Sequence, residues 1–268
     1  YSLKAGYINK IILQSFLDEN VQHQLQISPK RIKSLQKKYS SDKIVNSLHR
    51  YKAKETFEQL IERRLKPFYG KTVAKIESKT HVVLNVKAKD FAYNVCRAMF
   101  EIKTRKIQEF ENAGISLKSI VLEAHRNKIK ESMSFPYIRF VDIVNQEWEE
   151  SEWYKLLSSK FLFVVFRKSP DGDKKKMKIV KVFFWNMPYD DMLIAKSLWE
   201  DTKRKVNNDD FDNFITTKTH KVCHIRPHGT KNQRVQTPKG DWVQPKCFWL
   251  NNDYILDIVM KNIEDGSN

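Results

Sequence analysis

Ile8, Ile11, Ile12 and Phe16 fall at helical spacing, the signature of one apolar stripe on a helix. Ser28-Pro29 reads as the N-cap and first residue of a second helix through Ile32 and Leu35, since proline there gives up only an N–H that has no helical partner. Ser40-Ser41-Asp42 reads as the start of a third. From Lys54 to Leu65, Phe57, Leu60, Ile61 and Leu65 form an amphipathic stripe that Lys66-Pro67 ends, and Gly70-Lys71-Thr72 opens a short segment with Val73 and Ile76. Asp90 to Phe100 is a further helix, with Phe91, Val95, Ala98 and Met99 on its inner side. Then the pattern changes. Ile115 to Leu122, Tyr137 to Val144, Phe161 to Phe166 and Met177 to Trp185 are rich in β-branched and aromatic residues and read as strands, with Asp171-Gly172 as the turn between the last two. A helix over Asp190 to Val206, a strand over Thr216 to Ile225, and a strand and helix between Cys247 and Val259 complete the chain. Together these predict an α/β (α+β) domain with a mixed central sheet and flanking helices.

Composition sharpens this picture. A hydrophobic content of 41% in 268 residues supports a real core. The 49 Lys and Arg residues outnumber 32 Asp and Glu, for a net charge of +17, which points to a polyanionic partner. Residues 1–50 carry nine basic and three acidic side chains. They read as a basic helical lead-in or linker over 1–51, before a DNA-binding domain over 52–268; the sequence leaves open whether the lead-in joins the core. No apolar run is long enough to span a bilayer, so no membrane partner is expected. Three cysteines, Cys96, Cys223 and Cys247, are too few and odd in number for a disulfide framework, and a cytoplasmic setting fits. A chain that starts at Tyr1 is expected to be a piece of a longer polypeptide.

The chemistry concentrates in Glu109-Phe110-Glu111-Asn112-Ala113-Gly114-Ile115-Ser116-Leu117-Lys118, where an acid precedes a glycine turn and a strand ends in Ser-x-Lys. In a metal-dependent nuclease, carboxylates at such positions hold Mg²⁺ through hard oxygens, and a lysine two residues on shares their strand face and stabilises developing charge. Here the middle carboxylate is missing. The segment resembles the D-F-x-x-x-G-V-E-L-K signature of MutH-like, GATC-recognising endonucleases, with Glu109 for the Asp and Ser116 for the Glu. The resemblance runs over residues 52–263. It aligns Arg97 where that family carries another acid, and Glu131 to Phe135 with a segment whose aromatic contacts DNA. Ile225-Arg226-Pro227-His228 and Phe248-Trp249-Leu250-Asn251 are similar to the two stretches that reach the GATC bases.

The resemblance implies a MutH-like fold and a bacterial protein. It implies a degenerate catalytic site of Arg97, Glu109, Ser116 and Lys118. No metal is expected in this domain, and Mg²⁺ is expected only for the complete enzyme. The chain looks most like the C-terminal effector domain of two-domain, GATC-cleaving restriction enzymes, whose partners are double-stranded DNA and the catalytic N-terminal domain of the same polypeptide. Arg226 has the fork geometry to grip guanine O6 and N7. Pro227 stiffens the strand end, His228 is placed for phosphate or base, and Phe135 and Trp249 are placed to pack on a base or in the core. Lys231 and Arg234 are candidate phosphate contacts, as is the run Lys174-Lys175-Lys176. Two other readings stand beside this one. One is an active Mg²⁺ endonuclease with Glu111 or Glu123 as a displaced ligand, and the other a generic basic nucleic-acid-binding module. His220, Cys223, His224, His228 and Cys247 gather zinc-type ligands, but their spacing fits no standard site.

Overall fold

The computed structural model describes residues 28, 30–31, 33–34, 40–45, 51–230 and 232–264. The first half carries α1 (Phe57–Leu65), α2 (Val73–Thr80), α3 (Phe91–Phe100), α4 (Gln108–Ala113), β1 (Ile115–Leu122), β2 (Met133–Tyr137) and α5 (Phe140–Ile143). There follow α6 (Glu152–Leu157), β3 (Lys160–Arg167), β4 (Lys178–Trp185) and α7 (Tyr189–Asn207). The chain closes with β5 (Cys223–Pro227), β6 (Val235–Gln236), β7 (Trp242–Val243), β8 (Lys246–Leu250) and α8 (Asn252–Glu264). The fold class is mixed α/β, as the patterning implies. No helix among the described residues is long and apolar enough to cross a membrane.

The chain divides into two compact units. The first comprises residues 1–119, 161–166 and 173–184; the second comprises residues 120–160, 167–172 and 185–268. In the first, Thr56 caps α1 through a reciprocal pair of bonds with Gln59, meeting two N–H groups that a helix start leaves open. Leu60, Ile61 and Leu65 are buried beneath it. Strands β1, β3 and β4 form a sheet in the order β1-β3-β4, and every residue from Phe161 to Phe166 is buried. A run buried on both faces reads as continuous rather than alternating apolarity, which is why this strand is legible.

The described part of the lead-in belongs to the first unit. Asp42 forms a parallel bridge with Ile107, and its carboxylate accepts from Lys103 N (2.7 Å), Thr104 N (2.6 Å) and Thr104 Oγ1 (3.0 Å). Ile44 is 2% exposed. This corrects the helix start expected at Ser40-Ser41-Asp42: residues 43–45 are not helical, and Asp42 Oδ2 is turned to a distant loop instead of to its own chain. The apolar stripe Ile8 to Phe16 lies outside the described residues.

In the second unit the order is β2-β8-β5, with β6 and β7 forming a separate ribbon. Both partners of β8 are antiparallel to it. The strand expected over Tyr137 to Val144 is a correction: β2 ends at Tyr137 and Phe140–Ile143 is helical, since Phe140 and Ile143 sit three apart and both bury from one helix face. Likewise only Cys223–Pro227 of the segment from Thr216 is strand, and Thr219 N donates to Thr216 O in a turn. Helix α7 meets α8 through Tyr254 Oη, which donates to Asp191 Oδ2 at 2.7 Å.

Candidate nucleic-acid interface

The nuclease-type motif lies in the first unit, with Arg97 on α3, Glu109 in the first turn of α4, and Ser116 and Lys118 on β1. Gly114 ends α4 in the left-handed conformation at φ +65° and turns the chain into β1. Ser116 and Lys118, two residues apart, share a strand face, and both are half-buried. Burial draws the Lys118 pKa below its ordinary value.

Glu109 is held by main chain. Its carboxylate accepts from Ile44 N at 3.1 Å and from Val45 N at 2.8 Å, so both oxygens serve the lead-in. Arg97 donates to Thr104 O at 3.0 Å, to Asn94 Oδ1 at 3.2 Å and to Lys103 O, closing the loop after α3. The alternative ligands are also occupied: Glu111 pairs with Lys106 at 2.9 Å, and Glu123, in the second unit, pairs with Lys168 at 2.7 Å. A single carboxylate already engaged by two N–H donors, a neutral hydroxyl and a guanidinium do not fit Mg²⁺, which dehydrates reluctantly and favours anionic oxygens.

The candidate reading residues lie in the second unit. On β5, His224 and Arg226 alternate to one face, with His228 just past the strand end, and Trp249 joins that face from β8, paired with His224 while Arg226 pairs with Cys247. The Arg226 guanidinium lies 3.8 Å from the Trp249 ring centroid, the diagonal reach that antiparallel strands permit long side chains. His228 meets the same indole edge-to-face at 5.1 Å. Arg226 itself is exposed. A cation–π contact at such a site is worth about 0.5–1 kcal/mol, enough to hold the fork ready and little enough to exchange for a better partner.

Of the two placements open to the aromatics, both side chains take the buried one. Trp249 is 6% exposed and offers no open face to a base; it is the platform beneath Arg226. Phe135 is also 6% exposed. On a strand whose neighbour Ser134 pairs with Trp249, it points to the opposite face, meets Trp153 edge-to-face at 6.3 Å and lines a cavity of about 290 Å³ with Trp153 and Phe248. Pro227 is exposed and pairs with Lys246. Arg234 is exposed, with a bond to Gln233 O at 2.9 Å. Lys231 lies outside the described residues. The lysine run docks on its own unit, Lys174 on Val86 O at 2.6 Å and Lys175 on Glu77 and Leu84 O.

Sequence reading missed Tyr137, Gly229 and Trp242. The Tyr137 ring lies 5.7 Å from that of His228 and its hydroxyl donates to Gln233 Oε1 at 3.2 Å. Gly229 follows His228 at φ +105°, and a Cβ there would sit 2.6 Å from Gln233 Oε1. The turn residues Pro238-Lys239-Gly240-Asp241 between Val235 and Trp242 were the readable sign of a hairpin. Among the described residues no group of three or more His, Cys, Asp or Glu side chains is arranged to hold a metal.

His224 is 2% exposed. Asn251 Nδ2 donates to His220 O and Lys221 O at 2.6 and 2.9 Å. Its Oδ1 therefore faces His224 Nδ1 at 2.5 Å and makes that nitrogen the donor. Burial lowers the His224 pKa below 6.5, with Arg226 adding to the shift against the Asn251 bond. A histidine depressed in the folded state contributes stability that is complete above 6.5 and declines as the pH falls toward the folded value. Melting curves from pH 7.5 to 5.5 should therefore fall more steeply for the wild type than for His224→Gln. Parallel curves would refute this.

A mixed α/β chain with an acid–glycine–strand–lysine motif in one unit and an arginine on an aromatic platform in the other is similar to the MutH-like restriction endonucleases. The family described as DNA mismatch repair enzyme MutH matches residues 99–197, a span that holds Glu109, Ser116, Lys118 and Phe135 but stops before Arg226. The chain is similar along 99% of its length to the type II restriction enzyme Sau3AI of Staphylococcus aureus, at 27% identity over 320 aligned residues. It spans 59% of that enzyme's length.

Proposed function

We propose that this chain binds double-stranded DNA at GATC through the Arg226 face, without cutting it, and acts as the effector of a catalytic domain in the same polypeptide. The observation that carries this reading is Glu109. The one acid retained from the motif has its carboxylate engaged by Ile44 N and Val45 N, while Arg226 stands exposed on Trp249. Without a second anion, the charge stabilisation and water activation that a metal gives phosphodiester hydrolysis are not assembled by these side chains. DNA is the partner that suits a +17 chain with a forked donor at a strand end.

The test compares a GATC duplex with a scrambled one at physiological salt, for binding and for Mg²⁺-dependent nicking. Preference for GATC by about 10³-fold or more, without nicking, is the expected outcome. Nicking that Lys118→Ala abolishes would overturn the non-cutting half, and equal affinity for the two duplexes would overturn sequence reading. For the effector role, cleavage by the complete enzyme should change when this domain is filled with an uncleavable GATC duplex. Unchanged cleavage would remove it.

A further inference from the structure

We propose that the β6–β7 hairpin is a second DNA-contacting element and that Trp242 is its wedge, stacking on a base at the edge of the recognised sequence. The proposal rests on the DNA-binding reading above and adds to it a contact that lies outside the Arg-Pro-His motif.

The hairpin grows from the end of the ladder that presents Arg226. Pro227 of β5 pairs with Lys246 of β8, and His228 N donates to Pro245 O at 3.0 Å. Within the segment between these residues, β6 and β7 form a ribbon of their own. Val235 pairs with Val243 and Gln236 with Trp242. The turn is closed by Thr237 N to Asp241 O at 2.8 Å and Gly240 N to Thr237 O at 3.0 Å, with Asp241 N on Thr237 Oγ1 at 3.1 Å. Thr237 is 1% exposed, so the tip is anchored.

On this fixed ribbon Trp242 is 65% exposed, whereas Trp148, Trp153, Trp199 and Trp249 are all buried. Residues 226–246 hold five basic side chains, Arg226, Lys231, Arg234, Lys239 and Lys246, against one acid, Asp241. A displayed indole among cations matches a nucleic acid, whose phosphates meet the charge and whose bases offer a flat apolar face. Apolar side chains that enter a base step in this way part the stack locally. Among the described residues the other large exposed aromatic side chain, Tyr189, precedes Asp190 and Asp191, an anionic setting that suits no polyanion.

The experiment uses GATC duplexes carrying 2-aminopurine at each position flanking the site, with affinity read by anisotropy. Wild-type chain should raise the 2-aminopurine signal at one flank. Trp242→Ala should lose that rise and bind about 5- to 100-fold more weakly, while Trp242→Phe keeps both in part. Because the side chain is largely exposed, Trp242→Ala should melt near the wild type; should it not fold, Trp242→Gln retains a longer, water-compatible side chain, removes the aromatic face and gives the same comparison. Equal affinity and equal signal for wild type and Trp242→Ala, both still preferring GATC, would overturn the wedge alone. A wild type that binds without preferring GATC would sink the Arg226 reading, and the 2-aminopurine comparison would still decide Trp242.

Discussion

Replacing Arg226 with alanine is expected to weaken binding to a GATC duplex by about 1–3 kcal/mol, roughly 5- to 150-fold, and to weaken binding to a scrambled duplex much less, through the lost charge alone. The guanidinium now lies 3.8 Å from the centre of the Trp249 ring, an interaction of about 0.5–1 kcal/mol that a bidentate pair with guanine exceeds. Removing the fork therefore costs the specific complex more than the free protein. Arg226→Lys separates the two contributions of this side chain: it keeps the charge, and with it the salt-dependent attraction, but has no planar pair of donors. Its affinity for scrambled DNA should match the wild type while its preference for GATC falls as it does in the alanine variant. Equal losses on both duplexes would show that Arg226 contacts phosphate and that base reading lies elsewhere.

Glu109→Ala is expected to destabilise the first unit by about 1–3 kcal/mol, read as a lower urea midpoint. The Ile44 and Val45 N–H groups would lose their acceptor in a segment where Ile44 is buried. Glu109→Gln retains one acceptor oxygen and turns an NH₂ toward the same donors, so it should fall between the two. A purely catalytic glutamate behaves in the opposite way, because active-site acids are commonly removed with little loss of stability or with a gain. An unchanged urea midpoint together with lost nicking would make Glu109 a working acid after all.

What the sequence revealed depended on the range of the interaction. Helix α3 and strands β1, β3 and β4 were legible because their periodicity is local, and a fully apolar stretch such as Phe161 to Phe166 has few alternatives. The segment after Tyr137 misled because Phe140, Val141, Ile143 and Val144 have strand-type composition, and only the tertiary burial of Phe140 and Ile143 selects a helix. The same limit governs the site. Arg226 could be picked out from a short motif, whereas the Glu109 partners lie at residues 44 and 45, and nothing near residue 109 announces them. The burial of Trp249 follows from its register opposite His224, which composition does not encode.

The way the lead-in is fastened also predicts which substitutions it tolerates. Asp42 and Glu109 grip the main chain at Lys103, Thr104, Ile44 and Val45, and a backbone N–H is offered by every residue except proline. In a saturation library, positions 45 and 103 should therefore accept almost any side chain but proline. Position 44 should be held to apolar residues by its burial, and positions 42 and 109 should accept little beyond an acid. Sequences could drift widely across this joint while keeping the same two anchors.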